Sequence, residues 1–157
     1  MNELNDASRV LVERYLASLP EPERQHRHVV ADYFCADQES ADTCAALVAA
    51  GRKRATCSLA YWYRERGERM PEPRDLLVVT NWQGEPKALV ETLSVRECRY
   101  CEVGADFAAL EGEGDGSLSW WQAAHRDFFS QEMASQGREF DENMLLVLET
   151  FRVVALP

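Results

Sequence analysis

The chain has 157 residues, 46% of them hydrophobic and 10% aromatic, with a formal net charge of −10. That length holds one domain with a substantial core, since a domain of roughly 150 residues buries about 70% of its unfolded surface. The acidic balance argues against a protein that coats long nucleic acids, because such binding rests on Lys and Arg neutralising phosphates.

No apolar run approaches the roughly 18 residues of a membrane helix, so no membrane partner is expected. The N-terminal MNELNDASRVLVERYL has no basic region followed by an apolar run. No signal peptide is read there, and the cytoplasm is the expected compartment. Cys35, Cys44, Cys57, Cys98 and Cys101 are odd in number, which disfavours a disulfide framework. Cys98 and Cys101 have redox or ligand spacing, but no second pair completes a zinc set, and they read as free structural thiols. No tight His or carboxylate cluster is visible, so no metal ligand and no cofactor is assigned.

In chain order, residues 2–19 predict an amphipathic helix with Leu4, Leu11, Tyr15, Leu16 and Leu19 on one face and Pro20 at its end. Residues 21–27 read as a polar connector. Residues 1–25 are thus a helix and connector, ahead of a main domain over 26–157. A second helix is predicted over residues 40–50, capped by Asp37 and packed through Ala41, Cys44, Ala45 and Val48. Gly51 stands at the left-handed position after it. Residues 59–66 predict a short aromatic and basic helix. Leu76–Thr80 and residues 87–95 predict a hairpin around the turn at 81–86, and residues 96–101 extend it or begin another strand. Residues 104–117 predict a loop, rich in Gly and acids at Glu111-Gly112-Glu113-Gly114-Asp115-Gly116. Ser117 caps a helix reaching about Ser135, and residues 145–156 predict the last strand. The order suits an α+β domain with a small, mainly antiparallel sheet.

A helix, then Gly51-Arg52-Lys53-Arg54-Ala55-Thr56, then a strand resembles the ASCH domain, whose hallmark is G-x-K-x-x-T at a helix end. Gly51, Lys53 and Thr56 match it position by position. Leu110–Asp115, Trp120, Ala124-His125, Phe128-Phe129 and Phe140-Asp141-Glu142 resemble a bacterial subgroup, so that the likeness spans roughly residues 30–155. The resemblance implies a PUA-like fold, a small β-barrel with flanking helices, and a cleft lined by the signature loop. It also implies a nucleoside, nucleotide or short single-stranded RNA as partner. Relatives include RNA-binding modules, an amidohydrolase acting on N4-acetylcytidine, and ribonucleases on single-stranded RNA. Fold alone does not choose among them.

Lys53, flanked by Arg52 and Arg54, is expected to have a lowered pKa, since cationic neighbours and burial disfavour its charged form. It is then a general base, or a fixed charge for a phosphate or oxyanion. Thr56 is the candidate nucleophile. The resemblance implies a glutamate beside them, Glu113 by position, with Glu111 the alternative. In the hydrolase this implies, Lys53 removes the Thr56 proton, Thr56 attacks an acyl carbonyl, and Glu113 protonates the departing amine. A metal-assisted ribonuclease on short single-stranded RNA, dependent on Lys53 and His125, and a non-catalytic binding module are the alternatives. Arg52, Arg54 and Ser58 are candidates for phosphate or carbonyl groups. Tyr61, Trp62, Tyr63 and one of Trp120 and Trp121 are candidates for base stacking. Glu91, mid-strand, points either into the barrel mouth or to solvent.

Overall fold

The computed structural model describes residues 3–157. The first predicted helix forms as α1 (Asp6–Ala17), capped by the Asn5 side chain accepting from the Ser8 N–H; residue 2, where it was expected to begin, lies outside the described residues. The polar connector holds a single helical turn, α2 (Glu21–Arg24), and is followed by a strand that the sequence pattern did not announce, β1 (Val29–Asp32). Then come α3 (Gln38–Ala49), β2 (Ala55–Leu59), α4 (Ala60–Arg64), β3 (Leu76–Thr80) and β4 (Pro86–Arg99). A 3₁₀ turn at Tyr100–Glu102 leads to α5 (Ala105–Glu111), α6 (Leu118–Ala134) and β5 (Leu145–Ala155).

Asp37 caps α3 by accepting from the Ser40 N–H, and Gly51 follows at φ +74°. The expected loop over residues 104–117 is corrected in its first half, which forms α5. There Phe107 and Ala108 are buried, and that burial outweighs a local composition that reads as loop. Gly112 then ends α5 in the left-handed region, and Ser117 caps α6 by accepting from the Trp120 N–H.

The five strands form one mixed sheet in the order β1-β3-β4-β5-β2. β1 runs parallel to β3, and the other pairs are antiparallel. The sheet curls into a half-barrel flanked by helices, so β1 and β2 are its edges. α5 and α6 pack on one side through Phe107, Trp121, Phe129 and Met133 against Leu59, Leu146 and Leu148. α3 covers another stretch through Ala45 and Val48 against Val79, Val90 and Phe151. Leu11 and Val12 of α1 join Leu76, Val78 and Leu89. At about 1.5–3 kcal/mol for each fully buried aliphatic side chain, those two contacts tie the helix firmly to the sheet.

No helix among the described residues is long and apolar enough to cross a membrane. Glu91 corrects both of its expected positions. It is buried and paired with Arg27 at 2.6 Å and Arg152 at 3.1 Å, so it joins the chain after α2 to β4 and β5.

Candidate functional site

The signature segment leaves α3 at Gly51 and enters the edge strand β2. Lys53 lies at that edge and is almost completely buried. Its Nζ donates to the Ala55 carbonyl at 2.9 Å, to Glu111 Oε1 at 3.1 Å and to Glu113 Oε2 at 3.1 Å. These are all three donors an ammonium has. The Phe34 ring lies 5.2 Å from Nζ.

Both candidate glutamates therefore meet the lysine, one from the end of α5 and one from the loop after it. Close approach of the two segments depends on Gly112, where an added Cβ would overlap the Arg52 carbonyl oxygen. Glu111 Oε2 accepts from Trp121 Nε1 and lies 3.1 Å from His125 Nε2. His125 Nδ1 faces the Trp121 carbonyl at 2.8 Å, and its ring stacks on the Trp121 indole at 4.3 Å. Both imidazole nitrogens thus face acceptors, an arrangement that only the doubly protonated ring satisfies.

The electrostatics follow from this geometry. Burial alone would lower the Lys53 pKa, but the charges of Glu111 and Glu113 outweigh it and hold the value above that of an ordinary lysine. The expected lowering is corrected. Arg52 and Arg54 are neighbours in sequence, yet they are exposed, while the two carboxylates touch the ammonium. Glu111 would be raised by burial, but Lys53, His125 and Trp121 hold it well below the usual carboxylate range. Burial works to lower His125, and Glu111 more than offsets it, so His125 is raised. With every donor engaged and two carboxylates against it, Lys53 is arranged as a fixed cation that holds Glu111 and Glu113 in place.

Thr56 does not join this network, and no hydrogen bond links it to Lys53 among the described residues. In β2, Cys57 approaches Glu111 at 3.7 Å. Strand alternation turns Thr56 and Ser58 to the other face. There Thr56 pairs across the ladder with Glu149 of β5, and the Ser58 hydroxyl meets the Tyr63 hydroxyl at 2.7 Å. Glu149 is half-buried, and no group among the described residues hydrogen-bonds to its carboxyl. Burial first, and then the negative charge of Asp75, push its pKa up to about 7. Burial likewise raises Tyr63 to about 12, which keeps its hydroxyl protonated. Glu149 was absent from the sequence reading. Its signal was a lone acid in the apolar run Leu145-Leu146-Val147-Leu148-Glu149.

The remaining aromatic candidates divide. Tyr61 is covered by the Arg138 guanidinium at 5.0 Å. Trp62 donates to Glu132 at 3.1 Å, with Arg66 over its ring. These side chains pack the protein's own groups. Trp121 is core, whereas Trp120 is exposed and lies over Gly114. Two residue groups have metal-ligand spacing: Cys35, Cys44 and Glu113, and Cys57, Glu111 and His125. Cys98 and Cys101 are free thiols. A separate cleft lined by Asn5, Tyr33, Thr80 and Trp82 lies beside α1.

A family model for the ASCH domain matches residues 30–155. The chain belongs to the ASCH domain family. An ASCH domain from Lactobacillus crispatus JV V101 is 50% identical over 99% of this chain and 98% of its own, with a TM-score of 0.93. The protein EF3133 from Enterococcus faecalis V583 is 31% identical over 82% of this chain and 77% of its own, with a TM-score of 0.74. No curated protein matches the chain. The half-barrel and its helices are the ASCH, PUA-like fold, a family that generally binds RNA. Within this ASCH domain, the family match begins after α1 and α2, although α1 packs into the same core.

Proposed function

We propose that this ASCH domain binds a nucleoside, or a few nucleotides of single-stranded RNA, on the face of β2 and β5 that carries Thr56, Ser58 and Glu149. The observation that supports this reading is Glu149. A half-buried carboxyl with no hydrogen-bond partner among the described residues and a pKa raised to about 7 is suited to a ligand that supplies the missing hydrogen bond. As a carboxylate it accepts from the exocyclic amino group of a base, and as an acid it donates to a ring nitrogen or carbonyl. The Thr56, Ser58 and Tyr63 hydroxyls supply further donors and acceptors. Arg54, exposed one step before β2, is the cation placed for a phosphate. The net charge of −10 favours one nucleotide or a few over a long strand. The buried Lys53–Glu111–Glu113 network fixes the edge from which this face begins.

A second reading, hydrolysis of an N-acylated nucleoside such as N4-acetylcytidine, is favoured by the same Thr56–Glu149 pair. A carboxyl titrating near neutrality across the ladder from a hydroxyl has the properties of a general base. Glu149 takes the Thr56 proton as the hydroxyl oxygen attacks the acyl carbonyl. The proton passes to the departing exocyclic nitrogen. Water then cleaves the threonyl ester, releasing the carboxylic acid and restoring the hydroxyl. Here the base is Glu149, while Lys53 has a positioning role.

Calorimetric titration with cytidine, cytidine monophosphate and a short single-stranded RNA tests the first reading. Glu149→Gln is expected to weaken binding at least tenfold, and unchanged affinity in that variant overturns the assignment. Turnover of N4-acetylcytidine tests the second. It is expected to vanish in Thr56→Val while binding persists, and turnover unchanged in that variant rules out the threonine route.

A further inference from the structure

Glu113 has a second set of neighbours that neither reading uses. Its Oε1 lies 3.2 Å from Cys44 Sγ, and Cys44 Sγ lies 3.5 Å from Cys35 Sγ. All three candidate ligand atoms fall within 4.8 Å of one another. They come from three separate segments: the turn after β1, the middle of α3, and the glycine-rich loop after α5. Cys35 holds φ +71°, a left-handed backbone that a cysteine rarely adopts.

We propose that Cys35, Cys44 and Glu113 form a site for a thiophilic divalent cation, Zn²⁺ by preference, with solvent in the fourth position. Zinc takes sulfur at about 2.3 Å and carboxylate oxygen at about 2.0–2.2 Å in a tetrahedron, which spaces two sulfurs roughly 3.8 Å apart and sulfur from oxygen roughly 3.5 Å. The observed separations are a few tenths of an ångström shorter, within the reach of small side-chain rotations. Two thiols and a carboxylate suit zinc better than magnesium or calcium, which prefer oxygen alone.

Charge points the same way. Lys53 and His125 as cations balance Glu111 and Glu113 as anions. Binding Zn²⁺ while the two thiols release two protons adds +2 and −2, so the buried neighbourhood stays neutral. Lys53, bonded to Glu113 Oε2, leaves Oε1 facing the thiols and supports the ligand from behind. The other group, Cys57, Glu111 and His125, lacks this freedom. Glu111 is already held by Lys53 and Trp121, and both nitrogens of His125 face acceptors.

Cobalt reports on the site directly. Co²⁺ added to the reduced, metal-free full-length chain is expected to give thiolate-to-cobalt charge-transfer absorption and the intense visible bands of tetrahedral cobalt. Both should saturate at one equivalent and disappear on addition of Zn²⁺. Cys35→Ser and Cys44→Ser are each expected to remove at least one sulfur's share of the charge-transfer band and to weaken binding at least tenfold. Cys101→Ser, at an exposed thiol, is expected to match wild type. Circular dichroism of the metal-free variants distinguishes a lost site from a lost fold, and Glu113→Gln supplies a further ligand variant if either cysteine variant unfolds. Absence of the tetrahedral cobalt signature in folded wild type, or its persistence at full strength in folded Cys35→Ser and Cys44→Ser, overturns the proposal. A Cys35–Cys44 disulfide persisting under reducing conditions overturns it as well.

Discussion

Replacing Lys53 by methionine keeps much of the side-chain volume and removes the charge together with its three hydrogen bonds. Glu111 and Glu113 would then face each other across the buried site without their shared cation. Breaking a buried pair by deleting one partner costs roughly 3–5 kcal/mol. For a chain of 150–250 residues each kcal/mol moves the melting point by about 2–4 °C, so a fall of about 6–20 °C is expected. The deficit depends on pH. Glu111 has a folded pKa below its ordinary value of about 4.3, so its stabilising contribution is present above that value. In wild type it is lost as pH falls through the lowered folded value. Lys53 has a raised folded pKa, so its contribution is complete below about 10.4 and is lost only as pH rises through the folded value. In Lys53→Met the Glu111 carboxylate is no longer held down by the ammonium and protonates at higher pH. The gap from wild type should therefore be widest near pH 7 and narrow towards pH 4. Thermal melts followed by near-ultraviolet circular dichroism across that range measure it. A variant melting within about 1 °C of wild type at pH 7 would refute the reasoning, because the buried network would then carry no net stabilisation.

Glu149→Gln is expected to stabilise the free protein at pH 8 and to change little at pH 4. The folded pKa, raised to about 7, means that the native state binds the extra proton between about pH 4.3 and 7, and stability falls as pH rises through that window. Melts at the two pH values check this, and equal shifts at both would contradict it. Gly112→Ala should destabilise by more than 2 kcal/mol in denaturant titration, because a Cβ there strikes the Arg52 backbone. Gly51→Ala has open space around the new Cβ and should cost only about 1 kcal/mol for its positive φ. His125→Gln replaces a charged partner of Glu111 with a neutral one; its melting point should fall, and because the folded His125 pKa is raised, the fall should be largest below about pH 6.5 and shrink as pH rises through the folded value.

Much of the frame was legible in the sequence. The Asp37 cap, the packing stripe through Ala41, Cys44, Ala45 and Val48, and the left-handed Gly51 are local signals, and α3 formed where they placed it. β3 also matched its predicted bounds, since an apolar run before a polar turn is a short-range pattern. β1 escaped because four residues beside a polar connector carry too little periodicity, and its parallel pairing with β3 is a long-range contact. α5 was hidden by the glycines and acids at its end. Glu111 and Glu113 both meet Lys53, from two successive segments that the glycine-rich run joins. The charge state of Lys53 was not legible, because the residues that set it lie 58 and 60 positions away while the arginines beside it in sequence are exposed. The direction of Thr56 depended on knowing which residue of β2 faces α5, and only the observed contact of Cys57 with Glu111 supplies that.

The central claim concerns where the ligand sits. Amide and side-chain resonances of the isotope-labelled protein, followed during titration with cytidine monophosphate and then a short single-stranded RNA, test it most directly. The account predicts saturable shifts concentrated at Arg54, Thr56, Ser58, Tyr63 and Glu149. Shifts confined to the cleft at Tyr33 and Trp82, or none at all, would contradict it.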